Sequence, residues 1–319
     1  MTHYADPELQ ALAERLDSDD PGIRRVAVLG LVDSGEPEAA ELLVRALKDP
    51  DATVRQEAAK VVDEFDAQDI ADSLIAALSD SDEVVRNGAA HALADLKDPS
   101  AAPPLLSALE GSSDPFVVAG ILRALKPLRV RAAQAPALAR LADADPRVRR
   151  EAVAVLGWLK AEDNLSALIE RARDDGDAEV RRAATGTLVY AAPERVGDTL
   201  IDRLGDAHWQ VRCEAATGIG KLNYQPGLEA LVKASREATW QVREKAAEAL
   251  GKLGSTAAIP ALGACAEDPM SNLRKAAIGA LGAIAAPGCQ PYIAMALDDP
   301  DPDVRKLARW AQSKLDAAA

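Results

Sequence analysis

Val242, Ala246, Leu250 and Leu253 are separated by four, four and three residues, the spacing that puts side chains on one face of an α-helix. Arg243 follows Val242 directly. The same pairing of an aliphatic residue with an arginine returns at Arg24, Arg55, Arg86, Arg149, Arg181, Arg212, Arg274 and Arg305, and Val118 takes the one remaining slot. Successive slots lie 31 or 32 residues apart. Small residues usually follow, as in Ala246-Ala247-Glu248-Ala249-Leu250-Gly251. This register predicts ten copies of one helical unit, none of which buries its own apolar face alone, so that each must stack on its neighbours.

The polar positions predict where the helices begin. In the last copy, residues 290–297 read as a short apolar helix, 298–302 as a turn and 303–314 as a second helix. Asp301 is placed to accept the first free amides, and Pro302 occupies the first helical position, where its missing N–H costs nothing. Asp-Pro recurs in register at Asp20-Pro21, Asp114-Pro115 and Asp145-Pro146. Gly157, Gly220, Gly251 and Gly282 fall near the ends of second helices, where a missing side chain permits close packing or a turn. The repeated arginine is expected to bridge to acidic residues of its own or the adjacent turn, forming a ladder.

Composition sharpens this picture in three ways. Hydrophobic residues make up 48% of the 319 positions but aromatics only 3%, so the core must be built from Ala, Leu, Val and Ile. An uninterrupted repeat also removes the usual inference of two domains from length, and residues 1–319 read as one repeat domain. The formal charge of -14 argues against broad contact with nucleic acid, although a local basic stripe remains compatible with it. No window approaches eighteen apolar residues and the first ten residues have neither a basic start nor an apolar stretch, so a soluble cytoplasmic protein without membrane contact is expected. Cys213, Cys265 and Cys289 show no pairing or spacing to histidine that suggests a disulfide framework or zinc. Cys265 shares the phase of Ala46, Ala77 and Ala296 and is expected to be a buried thiol.

The unit of roughly thirty-one residues, D-x-x-V-R followed by A-A-x-A-L-G, resembles the HEAT-like repeats first recognised in phycobilisome lyase subunits, over essentially the whole chain. The resemblance implies an all-α fold: a right-handed α-solenoid of about ten two-helix repeats whose second helices line a concave surface. It further implies that this surface holds proteins or, in the lyase group, handles a bilin chromophore. Fold is specified by such repeats and function is not. Deoxyhypusine hydroxylase, another relative, builds a di-iron site from His-Glu pairs directly after the repeat arginine. Those two positions here include Arg25-Val26, Asn87-Gly88, Arg150-Glu151, Cys213-Glu214 and Lys275-Ala276, and no copy carries His-Glu. With His3, His91 and His208 as the chain's histidines, the ligand set for that chemistry is missing.

In an array that uses each position alike, the positions that break the rule are the functional candidates. One break spans residues 100–140, where Val118 replaces the arginine and Phe116, Pro103-Pro104, Pro127 and Pro136 intrude. Those prolines are expected to shorten the helices and bend the stack, as a hinge or change of curvature; a partner pocket is the alternative. In the other, Asp-Pro becomes His208-Trp209, Thr239-Trp240 and Met270-Ser271. Trp209 and Trp240 should project from equivalent turns of adjacent units, either covering the neighbouring turn or forming a binding edge, with His208 as a substitute cap. Trp158 and Tyr190 share a phase nine residues past their arginines. Arg150 and Arg182, just after the slot, are placed to receive an acidic peptide or carboxylates through bidentate contacts, or else are ordinary solvated surface. Cys213 at the same phase offers a more exposed thiol than Cys265. Trp310 is read as covering the end of the array.

The leading functional expectation is a non-enzymatic interaction scaffold or assembly factor that grips a protein partner on its concave face and on an aromatic edge of repeats 5–8. Its candidate residues are Trp158, Tyr190, His208, Trp209, Trp240, Arg150 and Arg182. No nucleophile with a base, phosphate loop, metal set or cofactor motif stands out in the sequence. The alternative, carried by the resemblance, is a lyase-like or chaperone subunit that handles a tetrapyrrole, with Arg150 and Arg182 meeting propionates and Trp158 or Tyr190 stacking on the ring system.

Overall fold

The computed structural model of the protein describes residues 4–35, 38–65 and 70–318, and His3 lies outside them. The chain divides into two compact units, Met1–Leu159 and Lys160–Ala319. The described residues are helical throughout, with no strand. The first unit holds the pairs α1 (Pro7–Leu16) and α2 (Pro21–Ser34), α3 (Ala39–Ala46) and α4 (Ala52–Val61), α5 (Ala71–Ala77) and α6 (Glu83–Ala94), α7 (Ala102–Gly111) and α8 (Pro115–Leu128), and α9 (Gln134–Arg140) and α10 (Pro146–Leu159). In the second are α11 (Leu165–Asp174) and α12 (Ala178–Thr187), α13 (Pro193–Arg203) and α14 (Trp209–Lys221), α15 (Leu228–Ala234) and α16 (Trp240–Leu253), α17 (Ile259–Ala266) and α18 (Ser271–Ile284), and α19 (Gln290–Ala296) and α20 (Pro302–Ala318). Each pair is one sequence repeat. Within each unit, second helices pack on the second helices of adjacent repeats, α2 on α4 and α8 on α10 in the first, α14 on α16 on α18 on α20 in the second.

The predicted apolar face is the core. Val242, Ala246 and Leu250 are fully buried and Leu253 nearly so. Three residues past the slot stands a fully buried alanine in nine repeats, at Ala27, Ala58, Ala89, Ala152, Ala184, Ala215, Ala246, Ala277 and Ala308, and Ile121 fills that place in repeat 4. Glycine serves close packing here: a Cβ on Gly220 or Gly251 would lie 2.9 and 2.7 Å from the Cα of Ala249 and Ala280 on the next second helix. A core this thin in large side chains is dense because backbones approach one another where the side chains are small.

Second helices begin where the aspartates predict. Asp20, Asp51, Asp82, Asp114 and Asp177 each accept from an amide of the first turn, as do Asp145 and Asp301. Eleven residues past the slot the backbone turns left-handed, at Gly35 and Gly254 and also at Arg129, Lys160, Asn223 and Ala285. Glycine suits that conformation, whereas the four others adopt it at a cost of about 1–2 kcal/mol.

The proline-rich stretch corrects one expectation. α7 and α8 are not shortened, α8 being as long as α2 and α10, at 14 residues, and α7, at 10, exceeding α3 and α5; α9, which carries Pro136, has 7 residues, as the proline-free α5 and α15 do. Pro103, Pro104 and Pro115 sit in first turns, where no intrahelical amide bond is lost, and Pro127 lies in the last turn of α8.

Candidate functional site

The arginine slots form the ladder expected from their spacing, in the same geometry in both units. Nη1 of each donor caps carbonyls of its own inter-helix turn, as in Arg55 to Asp49 (2.8 Å) and Pro50 (3.2 Å). The remaining edge of four of them clamps a carboxylate 25 residues on, in the turn of the next repeat: Arg24 on Asp49 at 2.8 and 2.9 Å, Arg55 on Asp80 at 2.8 and 3.1 Å, Arg181 on Asp206 at 2.8 and 2.9 Å, Arg274 on Asp299 at 2.7 and 2.8 Å; Arg212 and Arg243 meet Glu237 and Asp268 through Nη2 alone. The clamped carboxylate also accepts the amide two residues ahead, so one aspartate ties together its own turn and the preceding repeat. Fork-to-fork pairing explains why arginine rather than lysine holds these slots. The slots are architecture.

Repeats 7 to 9, in the second unit, lose the cap. His208, Thr239 and Met270 precede α14, α16 and α18, and none makes a side-chain cap hydrogen bond. This corrects the reading of His208 as a substitute cap: its own amide is held by Asp206 at 2.8 Å, and its ring leaves the helix amides unserved. Three consecutive missing caps cost about 0.5–2 kcal/mol each. Trp209 and Trp240 are the first residues of α14 and α16, which pack together, and so occupy equivalent places on one edge. Trp209 is 38% exposed and Met270 39%, while Trp240 is half-buried.

The second candidate group lies on exposed second-helix positions. In the first unit Glu151, on α10, is buried with 8% of its side chain exposed, and it accepts from Nη2 of Arg123 on α8 at 3.3 Å and from Nη2 of Arg150 at 3.0 Å. Two cations around one carboxylate leave a net positive charge at a surface where 41% of Arg123 and 35% of Arg150 remain exposed. Trp158 stands eight residues beyond Arg150 on the same helix, with the Arg129 guanidinium 4.7 Å above its ring. In the second unit Lys160 lies 4.2 Å from the ring of exposed Tyr190, which belongs to a 3-10 turn after α12 rather than to the helix. Both cations are the left-handed residues that close a preceding second helix. Arg182 is not presented to a ligand as a free fork: Nε and Nη2 both donate to Glu179, at 3.0 and 2.7 Å.

Arg123, Glu151, Arg129 and Lys160 were absent from the sequence-derived site. A cation at the helix-closing phase followed 29 or 30 residues later by an aromatic was a legible signal; the triad was not, because burial of Glu151 depends on the neighbouring helix. Cys213 is half-buried, and burial first, then the Glu237 charge, pushes its thiol up to about 11. It is therefore protonated at neutral pH, unlike a reactive thiolate. Cys265 and Cys289 are buried. Among the described residues, no three His, Cys, Asp or Glu groups are placed to share a metal ion, and no helix is long and apolar enough to cross a membrane.

A sequence profile of HEAT repeats matches residues 3–62, 41–126, 103–189 and 197–277, most of the chain. This chain belongs to the HEAT-repeat family. Over 119 residues the HEAT array is 32% identical to phycocyanobilin lyase subunit alpha of Synechocystis sp., a match spanning 36% of this chain and 43% of that protein, less than half of the relative's length. Solved structures share the fold at low identity. A crystallised engineered protein is 22% identical, with a TM-score of 0.51 over 98% of this chain and 99% of its own. Kap95 in complex with Nup1 is 14% identical, with a TM-score of 0.67 over 98% of this chain and 51% of its own.

Proposed function

We propose that this HEAT-repeat protein is a non-catalytic interaction scaffold, and that the edge built by His208, Trp209, Thr239, Trp240 and Met270 grips a protein partner. HEAT-repeat solenoids serve as protein-interaction scaffolds, and Kap95 is a solved example carrying a bound protein. One observation carries the choice of edge: three successive repeats give up an aspartate cap, and what replaces it is neither a cap nor fully buried. A substitution made to cover the core would have buried Trp209 and Met270. Exposed aromatic anchors that cost the fold stability are what a binding surface retains.

The test is to restore the array's own rule. Replacing His208-Trp209 and Thr239-Trp240 by Asp-Pro should raise the melting temperature and abolish capture of the partners that the unaltered chain retains from a lysate, as compared by mass spectrometry. Unchanged capture by the stabilised variant would refute the edge.

A second reading, handling of a tetrapyrrole, is favoured by the 32% identical lyase subunit. Trp158 with Arg150 and Arg123 in the first unit offers a ring and cations on one face, where a planar ligand carrying carboxylates would fit. Mixing the purified chain with phycocyanobilin and seeing no change in the visible spectrum would count against it.

A further inference from the structure

We infer that the exposed face of α8 and α10 is a docking trough for an acidic, extended protein segment, recognised by Arg123 and Arg150 and anchored on Trp158. The inference deepens the scaffold reading, on which it rests, by assigning a separate surface and a partner chemistry.

Charge is the first argument. Residues 115–159 carry eight basic side chains (Arg123, Lys126, Arg129, Arg131, Arg140, Arg147, Arg149 and Arg150) against three acidic ones (Asp143, Asp145 and Glu151). This +5 stretch lies in a chain whose net charge is -14, so the remainder is strongly acidic. Asp143 and Asp145 are engaged at the turn, the latter by Arg147 and by its amide, which leaves Glu151 as the acid among the cations of the helix faces. Glu151 is buried, and it orients two arginines without neutralising both. A buried carboxylate that fixes two half-exposed guanidinium groups removes much of the rotamer entropy they would lose on binding a further carboxylate.

Shape is the second. Arg150, Ala154 and Trp158 recur every four residues on α10, and Arg123 lies on α8. The small Ala154 side chain separates the charge from the aromatic ring. At 1.5 Å per residue, Arg150 and Trp158 are about 12 Å apart along the helix. An extended segment rising about 3.3 Å per residue covers that span in three or four residues. The matching segment therefore has one or two carboxylates followed, three or four residues away, by an apolar side chain. Arg129 over Trp158 keeps that end of the trough cationic as well. Arg123, Arg150 and Trp158 lie on two neighbouring helices about 20 Å long, enough for a short peptide but not for the many phosphate contacts that drive nucleic-acid binding.

The experiment uses the full chain and a fluorescein-labelled dodecapeptide of alanine that carries a central glutamate pair and a leucine four residues beyond it. Anisotropy should show binding that weakens about tenfold when glutamine replaces the glutamates, and about tenfold in Arg123→Gln/Arg150→Gln. Because that variant leaves Glu151 unpaired, Glu151→Gln is the decisive companion: it keeps the arginines, removes the internal negative charge, and should tighten binding about two- to fivefold. A merely structural role for the triad predicts the reverse. Arg182→Gln should leave the titration unchanged. The inference is overturned if Glu151→Gln weakens binding, if the double variant binds like the parent, or if a twelve-residue oligothymidylate binds as tightly as the peptide. Loss of peptide binding with lysate capture intact would sink the trough alone; the Asp-Pro variant losing capture while retaining the peptide would separate the two surfaces.

Discussion

Arg140, at the end of α9, donates from Nη2 to the carbonyl of Ser112 at 2.9 Å. The Ser112 carbonyl lies six residues before Val118, and in the other repeats the slot arginine itself caps the carbonyl at that position, as Arg24 caps Ser18 and Arg86 caps Asp80. The same Nη2 also reaches the Leu109 carbonyl at 2.7 Å. The vacancy at Val118 is thus filled from the following repeat, while Val118 and Ile121 turn the vacated space into apolar core.

Arg140→Ala should therefore destabilise the protein by about 1–3 kcal/mol, the cost of leaving partly buried carbonyls without a donor. Urea denaturation is the measurement, with Arg147→Ala, an exposed arginine on its own turn, as the comparison. Equal, small effects for the two would show that Arg140 does not replace the missing slot residue.

Glu237 is the ladder's one glutamate. It meets only Nη2 of Arg212, and Arg212 Nε and Glu237 Oε2 are left buried without a partner, as is Arg243 Nε at the one-point contact with Asp268. Glu237→Asp should restore the two-point clamp seen at Asp206 and Asp299 and stabilise the second unit by about 1 kcal/mol. A lower melting temperature for this variant would contradict the account.

Ala285 closes α18 at φ 48°, a conformation held by Gly254 in the preceding repeat. Ala285→Gly should relieve about 1 kcal/mol of backbone strain, partly offset by the greater freedom of glycine in the unfolded chain. A modest rise in melting temperature is expected, and any clear fall would show that the left-handed turn is not strained.

The ladder also sets a pH response. Hydrogen bonding from Arg274, opposed by burial and aided by the Asp301 amide, holds the Asp299 carboxyl below the usual carboxylate range. At Asp49 and Asp206, burial works to raise the value and is outweighed by the hydrogen bonds from Arg24 and Arg181 and from nearby amides. A depressed native pKa stabilises the fold above the unfolded value of about 3.9, and that contribution is lost as pH falls through the native value. The ladder's contribution should stay constant from neutral pH down to about 5 and disappear in stronger acid. Asp49→Asn/Asp206→Asn/Asp299→Asn should lower the melting temperature at neutral pH and flatten its fall between about pH 5 and about pH 3; an unchanged acid profile would remove these carboxylates as its cause.

Periodicity alone reached far into this molecule. The recurrence of Val-Arg, of Asp-Pro and of the apolar phase after each slot determined the helix pairs, their starts, the buried face and the arginine's bridge to acids of the adjacent turn, because these are contacts between residues at fixed phase in similar neighbours; that its own turn offers backbone carbonyls was not part of that reading. A local rule repeated ten times is also a tertiary rule. Departures from it were visible as well: Val118, His208-Trp209 and Thr239-Trp240 all stood out against the register. What became of each departure was decided only by packing. That Cys213 is a protonated half-buried thiol and that Arg140 replaces an arginine missing one repeat away depend on distances across helices that no spacing along the chain encodes, whereas Arg182 is occupied by Glu179 three residues before it on α12, a pair the spacing itself offered. Burial of Glu151 between Arg123 and Arg150 belongs to the same class, since a carboxylate on an exposed phase becomes an internal counter-charge only when the neighbouring helix closes over it.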